Sequence, residues 1–398
     1  MMSRRGNSCL LICALFVLTV IYTASVKAKL MNVHVLFRHG DRTPDNNGFE
    51  MYPNDPYLNF SFYPTGLGQL TNNGKSREYQ LGKALRERYD EFLGKIYTPD
   101  IVFALSSDYD RTKMSLQLVC ASLFPPANSQ KWNTNLNWQP VPARYIPRVK
   151  DNLFLSDECP LYLAEYSRVL NSPEIQEGFS SLDDVKEKLT KLTGKNMSTP
   201  LDFFYLYHTF VAESAMGLPL PNWAYDVFPY GSLYDGIIYA YQIGSFTPLL
   251  KRLYGGPFLR IVTDNMKDVR NGSLEDPKLI YLYSGHETNI ASVLKALDLY
   301  EPHVPEYSSA IFLELHQFRN DYFVKILHYL GIPPVLTELK LKGCDALCPL
   351  DKFLKLTADL IPSDEELNCD KTKTADYANL RPSSATNMLT YNLINAAK

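Results

Sequence analysis

The run Arg38-His39-Gly40-Asp41-Arg42-Thr43-Pro44 sets one imidazole between two permanent cations. Guanidinium groups pair bidentately with phosphate oxygens, and an imidazole flanked by them lies where a phosphorus atom would be held. The pattern points to phosphoryl chemistry with histidine as the nucleophile. A charged surface turn is the bland alternative, and a lone Arg-His pair would favour it. Two arginines, a histidine, a glycine and a proline directly after the apolar stretch Val33 to Phe37 favour a site instead.

Two more segments place reactive residues after an apolar run. Ser106-Ser107-Asp108-Tyr109-Asp110-Arg111-Thr112 follows Ile101 to Leu105, and Ser284-Gly285-His286-Glu287-Thr288 follows Leu279 to Tyr283. Ligands gather at the carboxyl ends of strands in open α/β sheets, so the three segments can share one crevice. His286-Glu287 is not a zinc-protease motif, because Ile290 stands four positions after His286. Gly66-Leu67-Gly68 is not a dinucleotide loop, since its third glycine is misplaced and no strand leads into it. His34 and His328 fall in expected strands, His316 ends one, His208 is mid-helix and His303 is in a loop; all five read as structural. Trp132 and Trp138 read as core before they read as a substrate mouth.

The elements that must position these residues alternate strand with helix. Val33 to Phe37, Ile101 to Leu105, Leu279 to Tyr283, Ala310 to Leu315 and Tyr322 to Leu327 read as strands. Leu67 to Leu93 reads as a long helix, and Ser106-Ser107-Asp108 as N-cap residues for a helix running through Met114, Leu118 and Leu123. This alternation predicts an α/β core with a mostly parallel sheet flanked by helices. From about Pro160 to Gly256 the pattern is largely helical: Ser181 to Leu192, Leu201 to Met216 behind the Thr199-Pro200 cap, and Tyr234 to Leu253. The expected organisation is an α/β core over 29–159 and 257–369, interrupted by a smaller helical insertion over 160–256. Residues 370–398 are polar, lack periodicity and read as a disordered tail.

A chain of 398 residues can bury a sizeable core, and its formal net charge of −3 offers no basic face for nucleic acid. Arg4 and Arg5 precede an apolar run from Leu10 to Tyr22 and then Val26-Lys27-Ala28, the layout of a secretory signal peptide over 1–28. That run is short for a membrane span, and no later stretch replaces it, so a free secreted protein is expected rather than an anchored one. Loss of Arg4, Arg5 and Lys27 from a net charge of −3 leaves −6. Cys9 and Cys13 lie in the signal segment; Cys120, Cys159, Cys344, Cys348 and Cys369 remain. In an oxidising compartment two disulfides and one buried thiol is the simplest arithmetic, with Cys344 and Cys348 close enough to pair across a turn. Zinc is the alternative, but no second pair or histidine couple completes a site. Asn59, Asn196 and Asn271 each precede a serine by two positions and read as glycosylation acceptors.

With these runs in view, the chain resembles the histidine acid phosphatases of the phosphoglycerate-mutase-like superfamily. The resemblance rests on Arg38 to Pro44, Gly66 to Thr71 with Gly74, Leu81-Gly82 and Leu85 to Tyr89, then Asp110-Arg111-Thr112. It continues through Leu123 to Pro126, Trp138-Gln139-Pro140, Tyr283 to His286 and Cys344 to Leu350, and so spans Val33 to Cys369. The insect venom branch looks most similar, partly through Gly285-His286-Glu287-Thr288.

The resemblance implies a phosphoglycerate-mutase-like fold and a phosphohistidine intermediate on His39. It implies that Arg38, Arg42, Arg111 and His286 bind phosphate, that Glu287 donates the proton, and that no metal or cofactor is needed. It further implies Cys159–Cys369 and Cys344–Cys348 disulfides with Cys120 free, and it allows a homodimer. The expected substrate is a small phosphomonoester. Cations near His39 should keep it neutral while a carboxyl stays protonated, giving an optimum of about pH 4–6. Mammalian relatives carry aspartate after the second histidine; Glu287 is longer by about one methylene, which could retune leaving-group preference. Inositol-polyphosphate phosphatases of the superfamily space histidine and glutamate by one residue, whereas here they are adjacent. A phytase-like enzyme and a non-catalytic secreted binding or venom protein are the competing readings. A mutase reading conflicts with the secretory leader.

Overall fold

The computed structural model describes residues 28–45 and 48–370. The expected signal segment and the expected tail beyond Asp370 lie outside the described residues, as do Cys9 and Cys13.

Among the described residues, eight strands form one mixed sheet: β1 (Lys29–Arg38), β2 (Val102–Ser106), β3 (Arg144–Tyr145), β4 (Ile280–Gly285), β5 (Ala310–Phe318), β6 (Asp321–Tyr329), β7 (Leu336–Leu339) and β8 (Cys348–Pro349). Their order is β3-β2-β4-β1-β5-β6-β7, with β8 also paired to β6. β1 to β4 are mutually parallel; β5 runs against β1, and β6 reverses again to rejoin the common direction. β7 and β8 run against β6.

The described helices before the middle of the chain are α1 (Asn72–Leu93) and α2 (Asp110–Leu123). The middle carries α3 (Pro160–Leu170), α4 (Pro173–Ser180), α5 (Asp183–Thr193), α6 (Pro200–Ala215), α7 (Ser232–Gly244) and α8 (Pro248–Tyr254). After it come α9 (Gly256–Asn271), α10 (Glu287–Ala296) and α11 (Leu350–Thr357).

β1 is central, and its last seven residues are buried, as expected of a strand covered on both faces. Its side chains alternate between layers. Val33, Val35 and Phe37 pack with Leu81, Leu85 and Tyr89 of α1 and Leu116, Val119 and Leu123 of α2. Leu36 faces the opposite layer, with Phe258, Leu259 and Val262 of α9, Ile290 and Leu294 of α10 and Phe353 of α11. α6 and α7 share a separate core through Phe203, Leu206, Phe210, Leu233 and Ile237, which reaches Ala291 of α10. That contact sets the helical segment beside the carboxyl edge of the sheet.

Three boundaries differ from the sequence reading. α1 begins at Asn72 rather than Leu67, because Gly66 and Gly68 take positive φ and Thr71 caps the helix by accepting from the Gly74 N–H. The N-cap of α2 is Tyr109, since Ser107 is bonded to Thr112 and His286. The stretch from Tyr234 to Leu253 is two helices: α7 ends at Gly244, and Thr247 caps a new start at Pro248, which lacks the N–H a continuous helix needs. The Thr199-Pro200 start of α6 forms a full capping box with Asp202.

Cys159 and Cys369 form a disulfide across 210 residues, and Cys344 and Cys348 form a second. Cys120 is a buried thiol pushed up to about 12 by burial, so it is inert near neutrality.

Candidate active site

The strand order explains why three distant segments meet. β2, β4 and β1 are adjacent and parallel, with Arg38 in register with Gly285 and Ser106 with Ser284. Their carboxyl ends therefore deliver Arg38-His39, Ser107 to Arg111 and His286-Glu287 to one edge. β5 starts at the same edge, Ala310 opposite Phe37, and brings Pro305, Tyr307 and Ser308 with it.

The turn after β1 is fixed by backbone. The Arg38 N–H donates to Ser309 O at 2.9 Å and the His39 N–H to Gly285 O at 3.1 Å. Gly40 lies against Gly74 at the start of α1 so closely that a Cβ on Gly40 would sit 2.5 Å from Gly74 O. A Cβ on Gly74 would sit 2.2 Å from Asp41 O. Neither side of this contact has room for a methyl group.

Each buried guanidinium meets a carboxylate. Arg38 Nε lies 3.0 Å from Glu287 Oε2, its Nη1 donates to Pro305 O, and the group stacks 4.1 Å from the Tyr307 ring centre. Arg42 grips Glu50 with both terminal nitrogens, at 2.8 and 2.5 Å. Arg111 Nη2 lies 3.0 Å from Asp45 Oδ2, and its guanidinium covers Tyr109 at 4.3 Å. Some donors are left over: Arg38 Nη2, Arg42 Nε and Arg111 Nε are buried without a hydrogen-bond partner among the described residues. A buried unpaired N–H on a cation is costly, and clustered ones point to an anionic ligand.

His39 is buried, and its Nδ1 lies 2.8 Å from Gly40 O. A carbonyl only accepts, so Nδ1 carries the proton and Nε2 keeps the lone pair. Burial first, then Arg111, Arg38 and His286, hold this imidazole well below its usual range, against a smaller opposing pull from Glu287. It is neutral in mild acid.

His286 caps α10, its ring accepting from the Asn289 N–H. Its Nε2 lies 3.0 Å from Ser107 Oγ, which in turn lies 2.9 Å from Thr112 Oγ1. A neutral ring satisfies this chain: Nε2–H donates to Ser107, Ser107 to Thr112, and Thr112 to Tyr109 O. Burial, then Arg111, lowers His286 to about 3. Both ring nitrogens are thus engaged by protein groups, and a phosphate contact from His286 would have to displace one of them.

Glu287, the first residue of α10, is 7% exposed. Burial pushes its carboxyl up, but the Arg38 guanidinium leads the neighbouring groups that outweigh it and hold the group well below the usual carboxylate range. In the free protein it is ionised.

All six sequence-derived site residues, Arg38, His39, Arg42, Arg111, His286 and Glu287, lie at this edge. Trp132 and Trp138 instead pack on each other, with 60% and 39% exposure, so the expectation of core tryptophans fails. Asn59, Asn196 and Asn271 are exposed. Sequence reasoning gave no role to Asp45, Glu50 and Tyr307, took Ser107 as a helix cap and read His208 as structural. Asp45 directly follows Pro44 and could have been drawn from the motif; His208 sits in an aromatic helix with no local signal. Among the described residues no cluster of three or more His, Cys, Asp or Glu side chains could hold a metal ion.

Residues 29–329 match the model of the histidine phosphatase superfamily (branch 2). A venom acid phosphatase of Apis mellifera is 54% identical over 372 residues, 94% of this chain and 96% of that protein. Human prostatic acid phosphatase is 32% identical, covering 90% of this chain and 93% of its own. Among solved structures, the phytase from Citrobacter braakii superposes with a TM-score of 0.61 at 19% identity, over 85% of this chain and 99% of that one. That likeness speaks for the fold alone.

Proposed function

The chain belongs to the histidine phosphatase superfamily (branch 2), and on that premise we propose how this acid phosphatase works. In the first step His39 Nε2 attacks phosphorus as the ester P–O bond breaks. Arg38, Arg42 and Arg111 hold the non-bridging oxygens, and Glu287 gives its proton to the leaving alcohol. In the second step water attacks the phosphohistidine while the Glu287 carboxylate takes its proton. Inorganic phosphate leaves, and His39 regains its lone pair.

One observation carries the reading. A buried imidazole with its proton committed to Gly40 O stands among three guanidiniums that each keep an unpaired buried donor. That arrangement suits an attacking nitrogen at acid pH better than it suits a structural histidine. The proton on Glu287 arrives with the substrate, because a phosphate set against Arg38 cancels the field that keeps the carboxyl ionised. A phosphomonoester monoanion brings that proton itself.

The charge balance favours small monoesters over inositol polyphosphates. Arg38, Arg42 and Arg111 are matched by Glu287, Glu50 and Asp45, so the site offers little surplus positive charge for further phosphates. The non-catalytic reading is weakened by the intact set at the strand ends. Secretion is supported by the two disulfides, by the exposure of all three acceptor asparagines, and by the lack, among the described residues, of a helix long and apolar enough to cross a membrane.

Rapid quench with a ³²P-labelled monoester, chelator present, tests the mechanism. An acid-labile, alkali-stable phosphoenzyme is expected, absent in His39→Ala, which should lose at least about a thousandfold in kcat/KM. Label retained by His39→Ala, or activity abolished by the chelator, would refute it.

A further inference from the structure

Glu287 is held at one oxygen only by the cation it must part from. Its Oε2 lies on Arg38, while Oε1 faces His208 Nε2 at 3.5 Å. His208 comes from α6, far in sequence from the strand-end segments, and is fully buried. Neither of its ring nitrogens has a hydrogen-bond partner among the described residues. The edge of Phe204 packs on the imidazole at 4.5 Å, and Tyr207 lies at 6.1 Å. A phenylalanine would fill this aromatic setting without stranding two polar atoms, so packing alone does not account for a histidine here.

We propose that His208 is a positioning residue for proton donation: its Nε2–H orients the Glu287 carboxyl through Oε1. The inference rests on the reading of Glu287 as the proton donor. A carboxylate only accepts, so a neutral ring facing Oε1 presents Nε2–H. Burial first lowers His208 to about 3, which keeps it neutral in the working range. The separation of 3.5 Å is long, as such contacts commonly are before substrate closes the site.

The neighbouring residue supports an active-site role for this turn of α6. Thr209 Oγ1 donates to Glu50 O at 2.6 Å, and Glu50 is the carboxylate that grips Arg42. Tyr205, one turn earlier, stacks on Phe49 at 5.3 Å. One stretch of α6 thus touches both the Arg42–Glu50 pair and the proton donor. When the phosphate engages Arg38, the hold on Oε2 weakens and His208 retains the carboxyl against the leaving oxygen. Arg38, His39, His286, Tyr241 and Tyr254 are the other ionisable groups whose charges bear on Glu287 or are shifted by it, and Arg42 also acts on His208.

The test compares kcat/KM for glycerol 2-phosphate, whose alkoxide needs a proton, with that for 4-nitrophenyl phosphate, whose phenolate does not. His208→Leu should lose roughly ten- to a hundredfold more on the alkyl ester than on the aryl ester. His208→Gln, whose amide N–H reaches the Nε2 position, should restore the ratio to within a few-fold of wild type. Should the leucine variant fail to fold, His208→Asn, with its amide near the Nδ1 position, takes its place with the same selective loss expected. Equal losses on both esters, or no rescue by glutamine in a protein that melts like wild type, would overturn the proposal. Glu287→Gln separates this from failure of the underlying reading. If it too shows no alkyl-selective loss, Glu287 is not the donor; if it does and His208→Leu does not, only the role of His208 falls.

Discussion

The charge on Glu287 governs chemistry at the residue scale. A carboxylate paired with Arg38 at 3.0 Å is a poor acid, and its pKa lies well below the usual carboxylate range despite burial. Binding an oxyanion at Arg38 must therefore raise that pKa, and the complex holds a proton that the free protein lacks. Sulfate is the suitable probe because it stays a dianion from pH 4 to 8. Its inhibition constant should weaken by about tenfold per pH unit once the pH exceeds the carboxyl pKa of the complex. His39 is the other group that could take the proton, since Arg111 and Arg38 add to the lowering that burial begins. Glu287→Gln distinguishes them in an inhibition series against pH. A flattened profile assigns the proton to Glu287, a persisting slope assigns it to His39, and a flat wild-type profile removes the linkage altogether.

At the scale of elements, the turn after β1 works because α1 begins with almost no side chain. Gly74→Ala would put a methyl 2.2 Å from Asp41 O and 2.6 Å from Asp41 N, so the backbone carrying His39 has to move. Overpacking of this kind costs about 1–3 kcal/mol in stability. A displacement near 1 Å at the nucleophile costs about a hundredfold in rate. Denaturant melts beside kcat/KM should show the activity loss to be the larger; unchanged activity would mean that the turn does not set the nucleophile. Gly74 was legible in the sequence only as part of the resemblance, because a close approach between two loops leaves no periodic trace. The strands were legible: an apolar run ending at Arg38 or at Ser284 marks where a buried strand stops and a loop begins. Helix limits were less so. Leu67 and Leu70 fit helical spacing, but the backbone turns at Gly66 and Gly68, and Pro248 was read through because apolar spacing continues on both sides. His208 was hidden for a different reason, since its meaning depends on α6 lying beside α10, which no local pattern encodes.

Across the whole molecule, buried ionisable groups oppose one another over pH. Burial lowers His34, His208 and His286 to about 3 and His328 to about 4, and His39 well below its ordinary value. An unfolded histidine protonates near 6.5, so stability from these groups is intact above that pH and is lost as pH falls toward their native values. Carboxyls raised by burial act the other way, Asp55 and Glu306 among them. Glu78, beside Asp41, Arg38 and Ser308, is raised to about 8 by burial, and Glu213 is raised by burial and by Asp55. Their contribution is complete below about 4.5 and fades as pH rises through the native values. With His303 also lowered by burial, the lowered histidines outnumber the raised carboxyls below pH 6.5, and above it the raised carboxyls set the trend. The melting temperature should therefore peak close to pH 6.5, above the acid range in which His39 and Glu287 are best matched for catalysis. His34 isolates the effect, because it lies in mid-β1, stacked 4.3 Å from Tyr281 and away from the site. His34→Phe loses the 3.4 Å contact with the Tyr283 hydroxyl, which should cost stability at pH 7, yet it removes one group that protonates on unfolding. The difference in melting temperature between pH 7 and pH 5 should therefore shrink relative to wild type, with kcat/KM on 4-nitrophenyl phosphate retained. An undiminished difference would mean that His34 is already protonated in the native protein. Sulfate should stabilise more at pH 5 than at pH 7, because it binds with a proton and offsets the histidine cost at the site. The same linkage that lets the substrate bring its proton thus supports the fold where that proton is abundant.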